Sequence, residues 1–319
     1  MTQLAFTPLP LLSNPHLMTV VAARSPQGQA PASQTELVQL ADGDQLALEV
    51  STPVGWQAHQ ATVVMIHGLG GCHESPYLIR MARKLVARGL RAVRMNMRGC
   101  GSGKWLAKRP YHAGRSADVW AVLNYLQQQY PQSPLHLIGV SLGGNVVLKL
   151  AAELAEQAPE WLQQVIAVCP PADLAACANL LARPRNRFYD QHFVDLLKRS
   201  VAERHQHFGL APMIWPKQMN LRTFDDIYTA PQGGFRDAAD YYACSSSAAL
   251  VPAINLPCKI LFAKDDPFID GTVFDALHLP DQVDVFHTAY GGHVGFLAQP
   301  QSPFGLRWLD GQLLHWLGA

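Results

Sequence analysis

Six short apolar runs, rich in valine and isoleucine, recur along the chain with helix-patterned stretches between them. This alternation constrains the fold more than any other feature. The runs are Ala61 to Ile66, Arg91 to Met95, Leu135 to Val140, Gln164 to Val168, Cys258 to Ala263 and Val283 to Thr288. A strand with one face in water alternates polar and apolar residues, whereas these are nearly continuous, which is the pattern of a parallel sheet covered on both faces. Between them, apolar residues recur at three and four over about Tyr77 to Arg88, Ser116 to Tyr130, Gly144 to Ala158 and Arg307 to Leu317, predicting helices. Upstream, Thr35 to Leu40 and Gln45 to Val50 do alternate, and Ala41-Asp42-Gly43-Asp44 supplies a tight turn between them. That pair predicts an antiparallel hairpin, with residues 25–34 read as an exposed loop before it. The expected class is α/β, a single domain over 1–319 with a mostly parallel sheet and an N-terminal antiparallel hairpin.

Residues 177–254 break the rhythm. The stretch is too long for one crossover, has helical patterns near Asp190 to His205, and is aromatic-rich (Phe188, Tyr189, Phe193, Phe208, Trp215). An insertion between late strands sits over the strand ends, so it reads as a helical lid, with extra helices at the sheet edge as the alternative.

Composition removes several classes. With 49% hydrophobic and 15% charged residues among 319 and a formal net charge of +1, the chain is not disordered. Nor does it have the basic footprint of a nucleic-acid or anionic-membrane binder. Its six cysteines include no CxxC pair and are expected to be reduced thiols, mostly buried, with no zinc site. The N-terminus lacks a basic n-region, and prolines 8, 10 and 15 interrupt its apolar run. No stretch reaches the roughly 18 apolar residues of a transmembrane helix, so a soluble, cytoplasmic protein is expected.

The sharpest chemical signal is Gly139-Val140-Ser141-Leu142-Gly143. It matches the G-x-S-x-G nucleophile elbow and has the context that motif needs, a strand before and a helix after. Small residues at 139 and 143 permit a strained turn that projects the Ser141 hydroxyl beyond the sheet's C-terminal edge, beside the positive end of the next helix. Serine then needs a base, and the base an orienting acid, in the chain order Ser, Asp or Glu, His. After the run ending at Ala263 comes Lys264-Asp265-Asp266-Pro267-Phe268; after the run ending at Thr288 comes Ala289-Tyr290-Gly291-Gly292-His293-Val294-Gly295-Phe296. Asp266 and His293 are the expected acid and base. Asp265 competes, although adjacent residues of an extended segment point opposite ways, and Asp173 is a further position from which an acid reaches. The expected oxyanion donors are the N–H groups of Leu142, which follows the nucleophile, and of Leu69 in the glycine-rich loop His67-Gly68-Leu69-Gly70-Gly71. His67 reads as a loop anchor rather than a base.

Other motifs carry less. Arg98-Gly99-Cys100-Gly101-Ser102-Gly103-Lys104-Trp105 fails as a P-loop at Arg98 and Trp105, and as a dinucleotide fingerprint at Lys104. It reads as a loop bordering the active site. His205-Gln206-His207 has no third ligand nearby.

Together these residues resemble the α/β-hydrolases, and more narrowly the AB-hydrolase-4 family of YheT-like esterases, whose eukaryotic relatives include lipases. Further marks of the resemblance are Asn14-Pro15-His16 with Thr19, Ser75-Pro76-Tyr77, Asn96-Met97-Arg98-Gly99-Cys100, Phe188-Tyr189-Asp190 and Asp240-Tyr241-Tyr242. The family often has Gln where this chain has Met18. The resemblance implies the α/β-hydrolase fold, a Ser141–Asp266–His293 charge relay and hydrolysis of a small-molecule carboxylic ester without a cofactor. Two alternatives stand beside it. One is a lipase or phospholipase that approaches membrane lipid with Leu11, Leu12, Leu17, Met18, Val20 and Val21, a segment that otherwise packs against the sheet. The other is a non-catalytic binding protein on a hydrolase scaffold.

Overall fold

A computed structural model describes residues 1–26 and 28–319. Nine strands form one sheet: β1 (Thr2–Gln3), β2 (Gln34–Gln39), β3 (Gln45–Ser51), β4 (Thr62–Ile66), β5 (Arg91–Met95), β6 (Leu135–Val140), β7 (Leu162–Val168), β8 (Cys258–Ala263) and β9 (Val283–Thr288). Their order is β1-β9-β8-β7-β6-β4-β5-β3-β2, parallel except where β3 runs antiparallel to both β2 and β5. All six apolar runs are strands and the hairpin is present. The loop read over 25–34 is irregular from Pro26 to Ser33 at its described residues; Gln27 lies outside them.

The continuous apolar runs are buried as their pattern requires. Every residue of β4 and of β5 is buried, and two apolar clusters cover the sheet. A fully buried Leu, Ile or Val side chain contributes about 1.5–3 kcal/mol relative to exposure. The covering helices are α2 (Pro76–Ala87), α3 (Ser116–Gln129), α4 (Leu142–Leu154) and, at the C-terminal end, α10 (Trp308–Trp316), whereas α1 (Pro15–Arg24) packs on Leu297. Between β7 and β8 lie α5 (Leu174–Leu181), α6 (Arg187–His207), α7 (Leu221–Phe224), a π-helical turn Asp225–Thr229, α8 (Ala230–Gly233) and α9 (Ala238–Ser245).

Chain order reverses between β4 and β6: β5 lies beyond β4, while β7, β8 and β9 follow on the other side of β6. Ligands of open α/β sheets bind outside the carboxyl ends of the strands at such a switch point. Here those ends are Ile66 and Val140, immediately before His67 and Ser141.

The N-terminal segment departs from the sequence reading. Pro15 starts a helix instead of interrupting one: Asn14 caps α1, its side chain accepting from the N–H groups of His16 (3.0 Å) and Leu17 (3.1 Å), and a proline at the first helical position lacks only an N–H that would be unpaired anyway. The Arg98 segment is structural. The buried guanidinium bonds Asp42 (2.6 Å), Asp44 (2.8 Å) and Asp118 (2.6 Å), tying the hairpin turn to α3. All six cysteines are free; Cys169 and Cys258 are buried, Cys244 is exposed and the rest are half-buried, a more mixed set than expected.

Candidate active site

Ser141 is the hinge between β6 and α4, with φ 54° and ψ −122°. A non-glycine residue persists there only where its surroundings over-determine it, and steric contacts do so. A Cβ on Gly139 would lie 2.2 Å from the Gly143 carbonyl oxygen, and one on Gly143 would lie 2.7 Å from the carbonyl oxygens of Ile66 and His67. The Ser141 N–H donates to Val168 O at 2.8 Å, fixing the turn to the neighbouring strand.

His293 arrives from the other side. His293 Nε2 lies 2.9 Å from Ser141 Oγ, and its Nδ1 lies 2.8 Å from Asp266 Oδ2. The second carboxylate oxygen of Asp266 accepts from the N–H groups of Phe268 (3.1 Å) and Ile269 (3.0 Å), so the buried carboxylate is fully used. The Phe268 ring packs on the imidazole with centroids 4.2 Å apart. Asp265 points elsewhere, accepting from Gly292 N–H at 2.9 Å, and Asp173 caps α5. The loop carrying His293 is held by the N-terminal helix: Thr19 Oγ1 accepts from the His293 N–H at 2.8 Å while donating to Pro15 O at 2.7 Å. Met18 is buried and accepts from Leu297 N–H through its sulfur.

The loop after β4 faces the serine, since a Cβ on Gly68 would lie 3.0 Å from Ser141 Cβ. Its conformation is pinned on both flanks of Leu69. Gly68 N–H donates to the Tyr77 hydroxyl (2.8 Å) and Gly70 N–H to the Tyr111 hydroxyl (2.9 Å). Burial pushes both phenols above their ordinary range, so they stay protonated. Among the described residues, the N–H groups of Leu69 and Leu142 have no hydrogen-bond partner. His67 is fully buried; its Nδ1–H donates to Gly68 O (2.8 Å) and its Nε2 accepts from Met97 N–H (3.1 Å). Burial drives its pKa down to about 4, which keeps it a neutral anchor.

Two cavities meet at Leu69, Leu142, Asp225 and Tyr241. One contains Ser141 and is walled by apolar residues of the β7–β8 segment, among them Leu174, Leu181, Phe193 and Leu221. The other runs beneath α6 past Lys104, Trp105 and Arg204, so the Arg98–Trp105 loop does border the site. Asp225 lines both; it accepts from the Tyr242 hydroxyl at 2.8 Å, and burial raises its pKa to about 6. His205 and His207 are used structurally, His205 bonding Ala211 O at 2.5 Å and His207 stacking on Trp105.

Sequence reasoning singled out Ser141, Asp266, His293, Leu69 and Leu142, and the structure brings these five together at one rim of the sheet. That reasoning gave no role to Thr19, Tyr111, Asp225 or Cys169. Only Thr19 had an available signal, the Asn14-Pro15 helix start that places it one turn into a helix.

Comparison with known proteins identifies the family. The family described as alpha/beta hydrolase fold matches residues 61–300. The chain is 32% identical over 321 residues to "Putative esterase YheT" of Escherichia coli, covering 98% of this chain and 92% of that protein. It is 27% identical to the mouse protein "Phospholipase ABHD3", covering 83% of this chain and 66% of the relative. Among solved structures, 2,6-dihydroxy-pseudo-oxynicotine hydrolase superposes with a TM-score of 0.61 at 18% identity, over 95% of this chain and 70% of that one, a likeness of fold. The chain belongs to the α/β-hydrolase superfamily, within which it is a YheT-like hydrolase.

Proposed function

We propose that the chain is a serine esterase acting on small-molecule carboxylic esters through Ser141, His293 and Asp266. The observation that carries this reading is the unbroken hydrogen-bond chain from Ser141 Oγ through His293 to Asp266, at 2.9 and 2.8 Å. Ser141 Oγ attacks the ester carbonyl and its proton passes to His293 Nε2, while Asp266 holds the Nδ1–H and stabilises the imidazolium. The carbonyl oxygen takes up negative charge against the N–H groups of Leu69 and Leu142. Collapse of the tetrahedral intermediate expels the alkoxide, which takes the proton from His293, leaving an acyl-Ser141 ester. Water, deprotonated by the same imidazole, attacks that ester; the acid leaves and Ser141 recovers its proton.

In this reading the apolar cavity beside Ser141 receives the acyl group, residues 177–254 act as a lid over it, and the protein works in the cytoplasm without a cofactor. No helix among the described residues is long and apolar enough to cross a membrane. The phospholipase reading is favoured by the name of the mouse relative and by the exposed apolar side chains Leu11, Leu17 and Phe188. Deleting residues 1–24 does not test it cleanly, because α1 holds the His293 loop. A completed triad speaks against a non-catalytic scaffold.

The test is hydrolysis of p-nitrophenyl esters from two to sixteen carbons, and of a short-chain phosphatidylcholine, by wild type and Ser141→Ala. Wild type is expected to turn over the p-nitrophenyl esters, and Ser141→Ala to lose about 10⁴-fold or more. Equal rates in the two proteins overturn the assignment; faster turnover of the phospholipid favours the second reading.

A further inference from the structure

We propose that Cys169, Asp266 and His293 form a binding site for a thiophilic divalent cation, Zn²⁺ being the best-suited ion, and that its occupation switches the catalytic base off. Cys169 follows β7 directly and is completely buried. Its backbone has φ 47°, a left-handed conformation that an L-residue with a side chain avoids unless its surroundings require it. That residue brings a sulfur up to the acid–histidine pair: one ligand atom each from Cys169, Asp266 and His293 lie within 4.8 Å of one another. Burial and the neighbouring Asp266 push the metal-free thiol well above its ordinary pKa, so it stays protonated until a cation displaces the proton. The esterase chemistry uses Asp266 and His293 and leaves Cys169 without a part.

Thiolate, imidazole and carboxylate are the donor types that Zn²⁺ takes in tetrahedral sites, at about 2.3, 2.0–2.1 and 2.0–2.2 Å. Ligand atoms around such an ion stand roughly 3.3–3.7 Å apart, so the trio closes on it by shifts of about 1 Å. Asp266 keeps both backbone N–H bonds on one oxygen and presents the other, the one now bonded to His293 Nδ1. The proton balance explains the effect. The thiol proton leaves to solvent as the sulfur binds. The imidazole stays neutral: its Nδ1 lone pair goes to the metal and its proton moves to Nε2. Nε2 then carries a hydrogen facing Ser141 Oγ and no longer accepts one. Access is through the histidine, the one member of the trio that is partly exposed.

The inhibitory half of this inference rests on the esterase reading, whereas metal binding does not, so the experiment reads both. Zn²⁺ inhibition and its reversal by EDTA are followed in wild type, Cys169→Ser and Cys169→Ala, each relative to its own metal-free rate. Cd²⁺ binding is followed by sulfur-to-cadmium charge-transfer absorbance in the same proteins, in Ser141→Ala and in Asp266→Asn. Wild type is expected to lose activity and regain it with EDTA. Both Cys169 variants should need more than about tenfold more Zn²⁺, the least that losing even an outer partner costs a metal site. Ser141→Ala should keep the full wild-type band, and Asp266→Asn should weaken it. Should the Cys169 variants fold poorly, the band in Asp266→Asn decides alone. Bands and Zn²⁺ sensitivity unchanged by loss of Cys169, or a Cd²⁺ band unchanged in Asp266→Asn, overturn the proposal. Full activity in Ser141→Ala with the band intact would instead sink the esterase reading and leave the metal site standing.

Discussion

Ser141 and His293, the proposed nucleophile and base, reach the same point by different means. Ser141 is held by sterics between adjacent elements: the glycines at 139 and 143 let β6, α4 and the end of β4 approach within distances no Cβ permits. His293 sits on a loop with positive φ at Gly292, Val294 and Phe296, and a remote segment holds it in place. A Cβ on Gly292 would lie 2.5 Å from Pro15 O and one on Gly295 would lie 2.5 Å from Met18 Cγ, while Thr19, 274 positions earlier in the chain, bonds the His293 N–H. One half of the site is shaped by close packing among neighbours, the other by a hydrogen bond borrowed from afar. Damage to the first should therefore appear in stability, and damage to the second in turnover.

The largest stability effect belongs to the locally pinned side. Burial depresses the His67 pKa from 6.5 to about 4, so its contribution is fully present above pH 6.5 and is lost as pH falls through 4. Unfolding free energy measured by urea titration from pH 7.5 to 4 should show wild type losing about 3 kcal/mol more than His67→Gln. Parallel curves for the two proteins would remove His67 as the acid-labile anchor. Next comes Gly143→Ala, whose new methyl meets two backbone carbonyl oxygens with no room to yield. About 1–3 kcal/mol of stability should go, seen as a lower urea midpoint. Thr19→Val is the smallest in stability, about 1 kcal/mol for one hydrogen bond, yet it should lower kcat about 10- to 100-fold by releasing the base. Thr19→Ser should restore kcat. A Thr19→Val enzyme with normal kcat would show that the loop holds itself and would erase the contrast.

That contrast also explains what could be read from the amino-acid order. The elbow is legible because its steric demands fall on consecutive residues, leaving Gly139, Ser141 and Gly143 as a compact pattern between a strand and a helix. Asp266 and His293 follow strands recognisable from their apolar runs, so their position at the same sheet edge follows from topology. Strand alternation says only that one of Asp265 and Asp266 can face His293, and both carboxylates turn out to be used, one on the imidazole and one on its loop. The N-terminal helix was hidden because Pro8, Pro10 and Pro15 look like interruptions, and the one at 15 is in fact a start. Nothing in the spacing links Thr19 to His293, because a bond across 274 residues leaves no local trace. Cys169 was invisible for a related reason, since its significance lies in a backbone angle and two neighbours from other strands.

The seating of the first two dozen residues bears on how the protein comes into being. Leu4 N–H pairs with His287 O and Leu9 N–H with Leu297 O, both at 2.8 Å, and Leu12, Met18 and Ala22 cluster with Leu297. During translation residues 4–22 therefore emerge before the surface they dock on, and wait, greasy side chains uncovered, until β9 and the segment around Leu297 have been made. In the proposed esterase the general base is thus seated only once two segments far apart in the chain have both been made.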